Sequence, residues 1–352
     1  MIGICKSSYF EVADLSGLNA ANRDLLRDSV VALVYHGVIA DRYASHPLRS
    51  CNMVTVTEFR RHLVEIARLF NPISMDDFRA WLGNGRQLPP KAVLVTFDDG
   101  YQNNLVHAAP LLKEMGIPAT FFISTGYIGR DRFLWPTEVF CRSYYWPDKR
   151  MPLPDGKEIN VPNGYCARIA FAANVENACK QLPSEVCVEY LARLRGECAL
   201  VLDEAASELF KFLNWDEVRE LGDRGFAVGS HTVEHLIVSH VEPARLEYEL
   251  RASKATIENE LGSECFSFAY PNGNVDDVTP AAAQAASDAG YDVAFCVMDG
   301  ICRRSSNPML LQRIWIPGPA GICEFRTRAS GTHGKLKRWL RRDARSSLDL
   351  VQ

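Results

Sequence analysis

The sequence predicts an α/β fold with a parallel sheet or barrel, and three observations carry that prediction. Runs with the character of buried strands, SVVALVYHGV (29–38), AVLVTF (92–97) and PATFFIS (118–124), alternate with stretches of helical periodicity. Strands that alternate with helices pair in parallel, because each crossover helix returns the chain to the same end of the sheet. The two stretches richest in chemistry, FDDGY (97–101) and SHTVEH (230–235), each follow a strand-like run. That is the end at which α/β folds build their sites.

In chain order, residues 29–38 read as a buried strand ending in Tyr35 and His36. Residues 57–69, TEFRRHLVEIARL, have a capping-box start and apolar positions at helical spacing. Ala92–Phe97 is the next strand. A helix follows from about Asn104 to Met115, stopped by Gly116, and 118–124 is another strand. The pattern then breaks. Residues 131–213 hold aromatic loops (FLWP, YYWPDKRMPLPDG) and a Cys- and Ala-rich helical region. We read them as a large insertion in one α/β domain, a separate small domain being the alternative. Alternation resumes with NWDEVRELGDRG, where Asn214 caps, Glu217 closes the box and Gly225 ends the helix. FAVGS is a short strand. Pro243–Leu261 is a long helix with Leu246, Leu250, Ile257 and Leu261 on its apolar side, and CFSFAYP and DVAFCVM are two further strands. The expected domain spans 29–320, followed by a basic tail, 321–352.

Composition narrows the function. The chain has 352 residues, enough for a large core, with 47% apolar and 23% charged residues. A net charge of −4 gives no general attraction to nucleic acid. No run of about 18 apolar residues predicts a membrane-spanning helix. The start, MIGICKSSYFEVADLSG, lacks a basic region followed by an apolar one, so no secretory signal is expected. Eleven cysteines without a CxxC pair argue for reduced thiols in a cytoplasmic protein, and against a disulfide framework or zinc ribbon. The end, RTRASGTHGKLKRWLRRDARSS, reads as a solvated tail. Its alternative is a short basic helix, with Leu336, Trp339 and Leu340 on one side, lying on an anionic membrane surface at the inner face.

The chemistry starts at VLVTFDDGY (93–101), where a strand runs into two adjacent carboxylates. Like charges side by side at a buried strand end are unfavourable unless neutralised. DDG alone is also a turn signal, and lone histidines are more often structural. His231 and His235, however, stand at i, i+4, which on a helical turn puts both imidazoles on one face, as two metal ligands require. Asp99, His231 and His235 together offer one oxygen and two nitrogens with positions left open, the arrangement of a catalytic zinc site. Such an ion acidifies water, polarises a carbonyl oxygen and relieves the carboxylate repulsion. Asp98 then remains free as a general base.

TFDDGY, SHTVEH and the later FAYPNG resemble the ordered motifs of polysaccharide deacetylases, the NodB-homology domain of carbohydrate esterase family 4. The resemblance covers roughly 29–130 and 214–320. It implies a distorted (β/α)7 barrel with a large insertion that hydrolyses N-acetyl, sometimes O-acetyl, groups on sugars. It implies a divalent metal as cofactor, zinc first and cobalt, nickel or manganese as alternatives. By the same resemblance Asp98 is the base, and Asp99, His231 and His235 are the ligands. The third family motif reads Arg-x-Pro-x-Gly; here Ala269-Tyr270-Pro271-Asn272-Gly273 stands in its place. The backbone N–H of Asn272 is then expected at the developing oxyanion. The family arginine that pairs with the base is absent. Arg313, in LLQRIWIP, is either its replacement or a surface charge at a strand end.

Many family members supply a general acid from a C-terminal Leu-x-His motif, which this chain lacks. A permuted subset places its histidine on the first strand, and VYHG looks like that form, making His36 the expected acid. The alternative is a satisfied core histidine. Tyr101, Tyr270, Pro271, Trp135 and Trp315 are the expected substrate contacts, aromatic faces being suited to stacking on sugar rings. Looser wording, TGYIG, LWP and WDEV, is similar to longer deacetylases of bacterial surface-polysaccharide clusters. The expected activity is therefore removal of N-acetyl groups from an amino sugar, nucleotide-linked, lipid-linked or in a nascent glycan for capsule, lipopolysaccharide or exopolysaccharide. The alternatives are hydrolysis of another amide, of formyl-sugar or purine-catabolite type, and a non-catalytic glycan-binding homologue. A two-histidine, one-carboxylate iron oxygenase fits poorly, since Asp98 would have no role.

Overall fold

The computed structural model describes residues 6–200 and 203–341. In chain order the strands are β1 (Val30–Tyr35), β2 (Gly37–Ile39), β3 (Met53–Thr55), β4 (Asn71–Pro72), β5 (Ala92–Phe97), β6 (Ala119–Ile123), β7 (Arg150–Pro152), β8 (Glu158–Asn160), β9 (Ala227–Ser230), β10 (Ser267–Ala269), β11 (Val293–Val297) and β12 (Leu311–Trp315). The helices are α1 (Lys6–Leu15), α2 (Leu18–Asp24), α3 (Val56–Leu69), α4 (Met75–Asn84), α5 (Ala109–Glu114), α6 (Trp135–Tyr144), α7 (Tyr165–Cys179), α8 (Ser184–Glu197), α9 (Glu204–Phe210), α10 (Trp215–Asp223), α11 (Pro243–Leu261), α12 (Pro280–Asp288), α13 (Ile322–Ala329) and α14 (Thr332–Arg341).

Seven parallel strands, β1-β12-β11-β10-β9-β6-β5, form a sheet that closes on itself through β1 and β5; β4 adds to the β5 edge. This is the expected (β/α)7 barrel. Strands β1, β5, β6 and β10 are buried along their whole length, because side chains face a packed interior on one side and helices on the other. The two faces separate with period two. Val30, Ala32, Leu94, Phe122, Ala269, Phe295 and Leu311 fill the interior, joined by Phe78 and Trp81 of α4. Val31, Leu33, Val93, Val95 and Phe121 belong to the larger layer beneath the helices.

Local signals place the helices. Thr55 and Glu58 form a reciprocal capping box for α3, and Asn214 and Glu217 do the same for α10. Gly225 follows α10 with φ 87°. The expected helix from Asn104 begins as a wide π-helical turn, Asn104–Ala108, before α5. Between β6 and β9 lie α6–α9 and the antiparallel pair β7–β8, with a core of their own around Trp146, Phe171, Tyr190 and Leu194.

The chain ends depart from expectation. Residues 322–329 are not a solvated tail: α13 buries Phe325, Thr327 and Arg328, and Arg326 bridges Glu65 of α3 and Asp14 of α1. Its basic residues are paired internally. The helix α14 continues from it with Trp339 74% exposed. The Leu340 side chain and residues 342–352, the end of the basic stretch, lie outside the described residues.

Candidate active site

Asp98 and Asp99 follow β5 directly, and His36 follows β1 on the adjacent strand. His231 follows β9, the ion-pairing arginine lies in β12, and Asn272 comes shortly after β10. All these strands are parallel, so their carboxyl ends open onto one rim. A cleft of about 490 Å³ there is lined by His36, Asp98, Asp99, His231, His235 and Asn272, together with Tyr101 and Trp315.

Asp99, His231 and His235 are all buried, and their ligand atoms lie within 4.8 Å of one another. Asp99 Oδ1 stands 3.6 Å from His231 Nε2 and 3.4 Å from His235 Nε2. Donors each about 2 Å from a single ion have separations of this size. Asp99 Oδ1 is buried without a hydrogen-bond partner, which is unfavourable for a carboxylate unless a cation completes it. His231 Nδ1–H donates to the Ala269 carbonyl at 2.7 Å, which leaves Nε2 as the free ligand nitrogen. These residues therefore fit a divalent ion. Burial raises the Asp99 pKa, but His235, His36 and His231 outweigh it and hold the carboxyl well below the ordinary range. Burial likewise lowers His231 to about 4, so its imidazole is neutral and able to ligate at physiological pH.

The histidines do not meet on a helical turn, contrary to the i, i+4 argument. Residues 231–235 form a loop that turns through left-handed Thr232 (φ 66°) and His235 (φ 54°). Thr125 N–H and Gly126 N–H donate to the Thr232 and Val233 carbonyls. A Cβ at Gly126 would lie 2.7 Å from the Val233 oxygen, so only glycine allows this approach. From the other side buried Glu249 of α11 accepts from Val233 N–H and Glu234 N–H, both at 2.8 Å. Trp135 Nε1–H donates to the His235 carbonyl at 3.0 Å. Five non-glycine residues with left-handed φ are found among the described residues, and Asp99, Thr232, His235 and Asn272 are four of them. Backbone strain of this kind persists where surrounding structure imposes it, and it gathers at functional sites.

Arg313 is no surface charge. It lies two residues beyond Leu311, so it shares the barrel-interior face, and it is 0% exposed. Its guanidinium grips Asp98 through two bonds, Nη1 to Oδ1 at 2.6 Å and Nη2 to Oδ2 at 2.8 Å, and donates also to Thr96 Oγ1. Burial pushes the Asp98 pKa up, but Arg313 and then His231 more than reverse this, so the carboxylate stays ionised. His36 is half-buried in the same cleft, its Nδ1 without a partner. The turn after β10 is held by Gly273 N–H to the Pro271 carbonyl and by the Asn272 side chain to Asp277, while the Asn272 N–H takes part in none of its bonds.

Three expected substrate contacts are placed elsewhere. Tyr270 is fully buried with its hydroxyl on the Met309 carbonyl, and Pro271 is buried; neither lines the cleft. Trp135 lines a neighbouring cavity of about 1030 Å³ and holds the ligand loop instead. Sequence reasoning missed Glu249, which carried no signal beyond a polar residue recurring on the buried side of a helix.

A closed parallel barrel bearing a buried Asp/His/His cluster that fits a divalent ion, beside an arginine-held carboxylate, has the layout of a hydrolase site. Residues 85–294 match the family model described as polysaccharide deacetylase. The chain belongs to this family, hydrolases of the amide bonds of N-acetylated sugars. The match includes Asp98, Asp99, His231, His235 and Asn272; His36 and Arg313 lie outside it and are brought in by the fold. The chain is 21% identical to YxkH of Bacillus subtilis (strain 168), which bears the family name, over 78% of this chain and 71% of that one. Among solved structures, a de-N-acetylase from Aggregatibacter actinomycetemcomitans superposes with a TM-score of 0.56 at 18% identity, covering 86% of this chain and all of the other. The Streptococcus pyogenes deacetylase PplD in complex with acetate gives 0.54 at 16% identity, over 83% and 94%.

Proposed function

We propose that the chain is a metal-dependent N-deacetylase of an amino sugar, with residues 29–320 as its catalytic domain and 131–213 as an insertion shaping the site. The observation that carries the reading is the buried Asp99/His231/His235 cluster next to the Asp98–Arg313 pair. Asp99, His231 and His235 would hold the ion, zinc being our choice for an oxygen-and-imidazole set. When bound, the ion supplies Lewis acidity toward the acetyl carbonyl and acidifies water. Asp98, kept ionised and oriented by Arg313, takes the proton of the attacking water. The unengaged N–H of Asn272 stabilises the oxyanion as the carbonyl carbon becomes tetrahedral. His36 delivers a proton to the nitrogen as the C–N bond breaks, releasing acetate and the free amine.

The acetate in the PplD structure and the de-N-acetylase neighbour support acetyl as the group removed. We place the reaction in the cytoplasm, in surface-polysaccharide biosynthesis, on a nucleotide- or lipid-linked sugar. Exposed Trp339 on α14 supports contact with a membrane surface, while Lys335, Lys337 and Arg338 beside it bond to Asn22 and Asp299 within the chain. Failure to bind anionic vesicles removes that last element. The test of the whole is acetate release from N-acetylated saccharides by wild type, Asp98→Asn and His36→Ala, with metal content measured. Turnover lost in both variants while metal is retained is the expected result. A wild type that holds metal yet releases nothing would overturn the reading.

A further inference from the structure

The helix α7 is committed on two faces. Phe171, Ala172, Val175 and Cys179 are buried on the side turned to the segment's own core. Ile169, Ala173, Glu176, Asn177 and Lys180 recur at helical spacing, and all of them line the cleft that holds Asp99, His231 and His235. The insertion thus brings a second face of one helix to the catalytic rim. Loop 48–53 lines the same cleft, and its Cys51 thiol lies within electrostatic reach of both Glu176 and Lys180. Phe140 of α6 and Phe210 of α9 line it too. Glu176 and Lys180 pair at 2.7 Å with side chains about one-fifth exposed. The helix α7 is anchored by its other face. Both groups line the cleft, where a ligand hydroxyl can compete for their bond.

We propose that this stripe of α7 is the sugar-recognition wall, and that the cleft takes one terminal N-acetylated ring rather than an internal ring of a polymer. The proposal deepens the deacetylase reading and rests on it. A sugar ring presents hydroxyls that donate and accept at once. Lys180 supplies donors, Glu176 acceptors and Asn177 both, while Ile169 and Ala173 offer an apolar surface to the ring's C–H face. A volume of about 490 Å³ sits in the lower part of the range for small-molecule sites, about 300–1,000 Å³. A polymer held by an internal ring must leave the cleft in two directions. Loop 48–53, α7 and the two phenylalanines all crowd this one small cleft, which favours end-on entry.

The test uses the zinc-loaded full chain with N-acetylglucosamine and its chitin-type disaccharide and hexasaccharide. Mass spectrometry identifies which ring has lost acetyl. Terminal-ring deacetylation alone is expected. Lys180→Ala and Glu176→Ala should raise KM for the disaccharide about tenfold, the scale of one lost hydrogen bond, with kcat within about twofold. Internal rings deacetylated as fast as terminal ones, or KM unchanged in both variants, would overturn the proposal. Should wild type release acetate from none of these sugars, turnover on them is what has failed. Saturation-transfer NMR then decides: the proposal stands if the disaccharide binds and Lys180→Ala weakens it about tenfold, and falls if binding is absent or unaltered.

Discussion

Replacing Arg313 by methionine isolates a fully buried ion pair of the barrel. Arg313 and Asp98 are 0% and 2% exposed, and two charge-assisted bonds of 2.6 and 2.8 Å join them. Methionine keeps the unbranched stem of the side chain but leaves Asp98 an uncompensated buried anion. Removing one partner of a buried pair costs about 3–5 kcal/mol. Thr96 Oγ1 loses a bond as well, but its own hydroxyl still donates to the Leu33 carbonyl, so that part is small. Asp98→Asn should cost a similar amount, because it strands the guanidinium. The double variant buries neither charge. Its loss should therefore fall short of the sum of the single losses by about 2–4 kcal/mol. The assay is urea unfolding of all four proteins at one fixed zinc concentration, since bound metal adds its own stabilisation. Both Asp98 variants should release no acetate, whereas Arg313→Met should retain a trace. Single variants within about 1 kcal/mol of wild type, or additive losses, would refute the buried-pair account.

Other consequences are as concrete. His36→Asn should lower acetate release by about 10²–10⁴-fold, the worth of a general acid, with zinc content unchanged; a smaller loss assigns the proton to another group. Glu249→Ala strips the Val233 and Glu234 N–H groups of their acceptor and should weaken zinc affinity about 10–100-fold, read by competition with a chelating dye. His62, stacked on Phe325 at 4.4 Å, is pushed by burial from an ordinary 6.5 to about 4. A histidine with a depressed folded pKa leaves stability complete above about 6.5 and erodes it as pH falls toward 4. The loss over that window is about 3 kcal/mol. In His62→Gln the difference between urea midpoints at pH 7 and pH 5 should shrink; an unchanged difference would place the acid sensitivity elsewhere.

Much of this was legible in the sequence, for identifiable reasons. Strands such as VVALVY and AVLVTF are buried on both faces and so read as continuous apolar runs. Few residue types ligate a divalent ion, and the Asp and His at strand ends here leave few choices. The geometry of the histidine pair was misread because i, i+4 spacing does not distinguish a helical turn from a loop wound through left-handed residues. The packed α13 was hidden because RTRA shows its charges but not their partners, Glu65 and Asp14, which lie far away in the chain. Tyr270 beside a catalytic turn looked like a substrate contact. Strand alternation sends it to the outer layer, where it is core.

The substitution at the third motif and the position of Arg313 are one structural event. Ala269 lies on the interior face of β10, and Arg313 on the interior face of β12, with β11 between them. The ring of strands continues from β12 through β1 to β5, so Arg313 reaches Asp98 from the side opposite the family arginine. The barrel interior is close-packed and holds one carboxylate at this level, so it has need of one guanidinium. Ala269→Arg in the wild type would add a second buried cation and overfill the interior, and it should fail to fold or lose several kcal/mol. Combined with Arg313→Met, the same change restores a cation on the family's side. The double variant should regain stability relative to either single one and recover part of the acetate release lost in Arg313→Met. If the double variant is no better than Ala269→Arg alone, the two positions are not exchangeable, and the base is oriented by the β12 side of the barrel specifically.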